Sequence, residues 1–72
     1  MKTDNTEIIR KDLGERLRKA REKAKLTQIE VAALAGVDAN YYARIERGNG
    51  NPSFEKLHSI MKALKMESFK IK

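Results

Sequence analysis

The sequence predicts an all-α protein, a compact bundle of four to five short helices. Three observations lead there. Apolar and small residues recur at steps of three and four through most of the 72 residues, the period of an amphipathic helix. Thr27, Asp38 and Ser53 each stand just before such a stretch, where a side-chain oxygen can accept from a backbone N–H left over at a helix start. Gly36 and Gly48 follow two of the stretches, where a helix end calls for positive φ.

Taken in order, residues 1–7 are polar without an apolar period and are expected to form a flexible N-terminal arm, ahead of one domain over residues 8–72. The first helix should begin at Ile8 or Ile9 and run to about Ala24, with Ile9, Leu13, Leu17, Ala20 and Ala24 as its core stripe. Gly14 lies inside it and costs roughly 1 kcal/mol relative to Ala, which points to a close packing contact. The second helix starts near Gln28, because Thr27 and Glu30 have the spacing of a capping box. Ala32 faces the next helix, where a larger side chain would push two backbones apart. Gly36 makes the turn, and Asp38 caps a third helix that occupies residues 38–47 and stops at Gly48. Tyr42 and Ile45 share its apolar phase. Tyr41, about 100° away, falls on the outer one. A turn this short fixes one helix across the other, the signature of a helix-turn-helix unit.

The run GNGNP after Arg47 is the clearest loop. Ser53 caps a fourth helix whose apolar side is Phe54, Leu57, Ile60, Met61 and Leu64. Lys56 stands where a capping box would have Glu, so this box is incomplete. Residues 65–72 fit either a short helical turn or an extended tail. A chain of this length buries only about 60% of its unfolded surface, so contacts between copies matter for its stability.

Sixteen Lys and Arg against ten Asp and Glu give a formal charge of +6, which favours a polyanionic partner. Residues 16–25 hold six basic side chains and one acidic, whereas residues 26–50 hold two basic and three acidic. Long-range attraction is therefore assigned to the first helix and the tail, and close contacts to the middle. The chain has no cysteine, hence no disulfide framework and no thiolate metal site. It shows neither an apolar leader nor a membrane-spanning run. A soluble, cytoplasmic protein without membrane association is expected. His58 is the only histidine, and neither a Walker-type loop nor H-E-x-x-H is present. No enzyme activity, cofactor, metal or small-molecule ligand is expected.

Across residues 13–64 the elements R-L-R-x-x-R, L-T-Q-x-x-V-A, A-G-V, R-I-E-R-G and N-P-S follow one another. In this order and spacing they make the chain resemble the Cro and repressor type (XRE-like) helix-turn-helix family. The resemblance implies a lambda-repressor-like bundle of about five helices that binds double-stranded DNA, usually as a symmetric dimer. It implies that the third helix enters the major groove, with Ala39, Asn40 and Arg44 toward the bases. Asn40 would pair with adenine, Arg44 with guanine, and Ala39 would touch a thymine methyl. By the same resemblance Gln28 grips a phosphate, and Arg21 and Glu46 form a buried ion pair. Tyr41 is a candidate for a phosphate or base-edge contact, and Arg47, Asn49 and Asn51 for the next phosphate, Asn49 and Asn51 being equally what a turn wants without any ligand.

The function so implied is a sequence-specific transcriptional regulator, binding an inverted-repeat operator as a homodimer. The resemblance extends to phage repressors, restriction–modification controller proteins and antitoxins, of which the controller proteins are single minimal domains of about this length. A competing reading is a protein-interaction module or antitoxin using the same fold to bind a partner protein, a role that Met61, Met66, Phe69 and Ile71 would serve.

Overall fold

A computed structural model describes residues 5–66. Four helices are present among them, α1 (Asn5–Lys23), α2 (Gln28–Ala35), α3 (Ala39–Glu46) and α4 (Phe54–Ala63), and no strand. α3 packs on both α1 and α2, and α4 lies against α2. The core is drawn from every helix: Leu17, Val31, Ala32, Tyr42, Ile45, Ile60 and Met61, with Leu64 just beyond α4. None of the helices among the described residues is long and apolar enough to cross a membrane.

The expected caps form. Thr27 Oγ1 accepts from the Glu30 amide at 3.1 Å while the Thr27 amide donates to Glu30 Oε1 at 2.8 Å, completing the box. Asp38 Oδ1 accepts from the amides of Asn40 and Tyr41. Ser53 Oγ accepts from the Lys56 amide at 3.2 Å.

All four helices end in the same device. The backbone amide pairs Lys25 and Leu26, Gly36 and Val37, Gly48 and Asn49, and Lys65 and Met66 donate back to the last helical carbonyls, the two-bond Schellman pattern. Its first residue has positive φ, which glycine supplies at Gly36 and Gly48. At Lys25 and Lys65, with φ of 62° and 59°, a side chain occupies the left-handed region at a steric cost.

Two expectations for the first helix need correction. α1 starts at Asn5, so residues 5–7 are helical and not part of an arm; residues 1–4 lie outside the described residues. The physical reason is that a helix end needs no apolar stripe, and Glu7 in the first turn suits the positive end of the helix dipole. The core stripe is also shorter than the periodicity suggests. Leu17 is fully buried and Leu13 and Ala20 partly so, but Ile9 is 64% exposed and Ala24 is exposed. α1 has 19 residues and its partner α3 has 8. At 1.5 Å per residue, roughly 28 Å of helix meets roughly 12 Å, and its ends protrude.

Gly14 marks the centre of that crossing. A Cβ added there would lie 2.5 Å from the Ile45 carbonyl oxygen, and closer still to that of Glu46. Any side chain would thus separate α1 from the end of α3.

On α4, Ile60 and Met61 are buried and Leu57 is partly so, as is Leu64 almost fully beyond it, whereas Phe54 is 65% exposed. As the first residue of the helix, Phe54 precedes the α2 contact and stacks instead on exposed His58, with ring centroids 6.4 Å apart. Met61, expected to be available to a partner, belongs to the core. Phe69, Ile71 and the expected turn or tail beyond Met66 lie outside the described residues.

Candidate nucleic-acid interface

One carboxylate fixes the helix pair. Glu46, at the end of α3, has a side chain only 3% exposed. Arg21 of α1 donates to it twice, from Nε to Oε2 at 2.6 Å and from Nη2 to Oε1 at 3.2 Å. Gln28 Nε2 of α2 donates to Oε1 at 2.9 Å, and the Tyr42 hydroxyl donates to Oε2 at 2.5 Å. These four donors match the four lone-pair sites of a carboxylate. Arg21 Nη1 also donates to the Leu26 carbonyl at 3.0 Å, tying in the linker between α1 and α2. Three helices and a linker thus meet at one charge.

The electrostatics follow from that arrangement. Burial alone would raise the Glu46 carboxyl, but hydrogen bonds from Arg21, Tyr42 and Gln28 and the charge of Arg21 outweigh it, holding it below the ordinary value. Burial first, and then the bond to Glu46, push the Tyr42 hydroxyl well up, so it stays a donor. The hydrogen bond to Glu46 raises the Arg21 guanidinium.

Held this way, α3 turns Tyr42 and Ile45 inward and leaves Asn40, Arg44 and Arg47 exposed, at steps that place them on one helix face. The side chains of Asn40 and Arg44 make no hydrogen bond or ion pair among the described residues, nor does that of Arg47. The contrast with α1 is informative. Arg16 pairs with Asp12, Arg18 with Glu15 and Glu22, Lys19 with Glu15, and Arg21 with Glu46. Four of the six basic side chains over residues 16–25 are thus paired with carboxylates, Arg21 with Glu46 of α3. Arg44 of α3 and Arg47 at its C-cap carry no such match among the described residues.

The remaining expected site residues are placed as follows. Gln28 is half-buried and turned toward Glu46, with one amide hydrogen left for another acceptor. Ala39 is only partly exposed and packs against the core, so little of its methyl faces outward. Tyr41 also packs partly against the core, and Lys56 Nζ sits over its ring at 5.7 Å from the centroid. Asn49 and Asn51 are exposed beyond α3, the Asn49 amide closing the helix by donating to the Arg44 carbonyl at 2.9 Å. Lys56, singled out in the sequence only for the incomplete capping box, comes to lie beside Tyr41. Its signal was its position, a basic side chain at the capping-box place.

An all-helical fold with a buried carboxylate clamping a helix pair, and an outer face of unpaired polar side chains, is the architecture of the helix-turn-helix class. The family described as helix-turn-helix (HTH_3) matches residues 17–70, and the chain belongs to this XRE-type family of transcriptional regulators. It is 38% identical over 52 residues to the immunity repressor protein of Bacillus phage phi105, covering 72% of this chain and 36% of the repressor. It is 36% identical over 56 residues to the uncharacterized HTH-type transcriptional regulator y4dJ of Sinorhizobium fredii, covering 78% of this chain and 73% of that one. The chain thus spans about a third of the phage repressor and most of y4dJ. Among solved structures it is similar to the restriction-modification controller protein C.AhdI from Aeromonas hydrophila, with a TM-score of 0.80 and 33% identity over 83% of this chain and 91% of that one.

Proposed function

We propose that this chain is a sequence-specific transcriptional regulator that binds an inverted-repeat operator as a homodimer, with α3 in the major groove. The observation that carries this reading is the face of α3 and its C-cap: Asn40, Arg44 and Arg47 exposed and without partners among the described residues. The helix beneath them is locked by Glu46. A side chain that specifies a base must keep its donors free yet sit on a rigid support. Asn40 pairs with adenine N6 and N7, and Arg44 with guanine O6 and N7. Ala39 offers its remaining methyl surface to thymine. Gln28, Tyr41, Arg47, Asn49 and Asn51 hold phosphates and set register. Two copies related by a twofold axis place their α3 helices about 34 Å apart on one side of the duplex. Such a regulator works in the cytoplasm, where bacterial and phage operators lie.

The similarity to a phage immunity repressor and to a restriction-modification controller supports this reading over that of a protein-interaction module. Arg44→Ala tests it by titration on operator and random duplexes. Preference for the operator should fall by about 1–3 kcal/mol while much of the non-specific binding persists. Equal losses on both duplexes would make Arg44 a phosphate contact. Sedimentation of the full chain tests the homodimer, and a monomer on operator DNA would refute it.

A further inference from the structure

We propose that Tyr41 and Lys56 form a composite anion site that grips one phosphate of the DNA backbone beside α3. The site lies partly outside the helix-turn-helix, since Lys56 belongs to α4. Two observations carry it. The first is a local rule that the sequence breaks. Ser53 caps α4 through the Lys56 amide, and this third helical position ordinarily holds Glu or Gln, which returns a bond to the cap. A cation there also faces the positive end of the helix dipole. Lys56 therefore weakens the start of its own helix, and such inconsistencies concentrate at functional sites.

The second observation is where its ammonium goes. It is held over the Tyr41 ring, 5.7 Å from the centroid, close enough for a cation–π attraction. Lys56 is exposed and makes no ion pair with a carboxylate among the described residues, whereas several α1 cations do. Tyr41, one residue along from Asn40 on α3, has its ring anchored partly in the core. The Tyr41 ring that carries a hydroxyl donor thus also holds an ammonium over its face, one residue along α3 from Asn40. Together they present a hydrogen-bond donor and a charge, the pair of features a phosphodiester oxygen selects. The ring also pre-positions the ammonium before DNA arrives.

This inference rests on the DNA-binding reading, and one set of titrations separates the two. Lys56→Gln removes the charge and completes the capping box, so the melting temperature should stay level or rise. Binding to operator and random duplex should weaken by the same factor, and the slope of log K against log salt should shrink by about 0.9. Between 50 and 200 mM salt the variant would then lose about threefold less affinity than wild type. Tyr41→Phe keeps the ring and removes the hydroxyl: affinity falls with the salt slope unchanged. Because both groups share one phosphate, the double variant should lose less than the product of the two single losses. An unchanged slope in Lys56→Gln, a lowered melting temperature, or fully multiplicative losses would overturn the shared site while leaving DNA binding intact. Wild-type protein that binds no duplex would overturn both readings.

Discussion

The Arg21 guanidinium and the Glu46 carboxylate meet at 2.6 Å across the junction of α1 and α3, and two further side chains bond to the same carboxylate. Its partners Gln28 and Tyr42 bring in α2 and the core face of α3. Because the Glu46 side chain is only 3% exposed, its four bonds compensate for lost hydration and leave little room for a substitute.

Removing either partner should therefore be costly. Glu46→Ala or Arg21→Ala is expected to destabilise the fold by about 3–5 kcal/mol, because the other charge is left buried without compensation. Urea unfolding measures this, and the double variant should lose less than the sum of the two. Additive losses would mean that the two side chains act separately.

Glu46 also predicts a pH dependence. Its carboxyl lies below the ordinary value of 4.5 in the folded chain, so the unfolded chain binds more protons in that region. The stabilisation is fully present above pH 4.5 and is lost as pH falls through the folded value. Glu46→Gln should flatten this part of the acid limb in chemical unfolding followed from pH 6 downward. An acid limb identical to that of wild type would assign the dependence to other groups.

Gly14→Ala should drive α1 away from the carbonyls of Ile45 and Glu46. The atoms met are backbone and cannot rotate aside, so a loss of about 1–3 kcal/mol is expected, despite the better helix propensity of alanine. Stability and operator affinity should fall together in thermal unfolding and DNA titration, because the same crossing aims α3. A stabilised variant would show that the helices do not approach so closely.

Lys25→Gly and Lys65→Gly should each stabilise the chain by about 0.5–1 kcal/mol, since glycine relieves the left-handed strain of a Schellman turn. Thermal unfolding of the single variants checks this. A loss at either site would mean that the lysine stem contributes more by packing than its backbone costs.

The central pair of helices was legible in the sequence because its determinants are local. Thr27, Glu30, Gly36 and Asp38 act within a few residues of themselves, and the phase of Tyr42 against Tyr41 decided which ring enters the core. The Arg21 to Glu46 pairing spans 25 residues and came from family resemblance, not from spacing. What stayed hidden depends on the length and placement of partners. Ile9 and Phe54 carry the right period but extend beyond what α3 and α2 cover. Lys56 meets Tyr41 only once α4 is docked. The charge balance of α1 was partly readable, since Asp12 and Glu15 stand one turn from Arg16 and Arg18 to Lys19, at helix-pairing spacing. A count over residues 16–25 leaves both of them out.

Selection of bound duplexes from a random DNA pool tests the central claim most directly, that the face of α3 reads base edges in two symmetric copies. The expected result is an enriched inverted repeat with half-site centres about 10 base pairs, or a multiple of that, apart, and loss of preference at a guanine in each half-site when Arg44 is replaced by alanine. A pool that emerges from wild-type protein without any enriched sequence would contradict it.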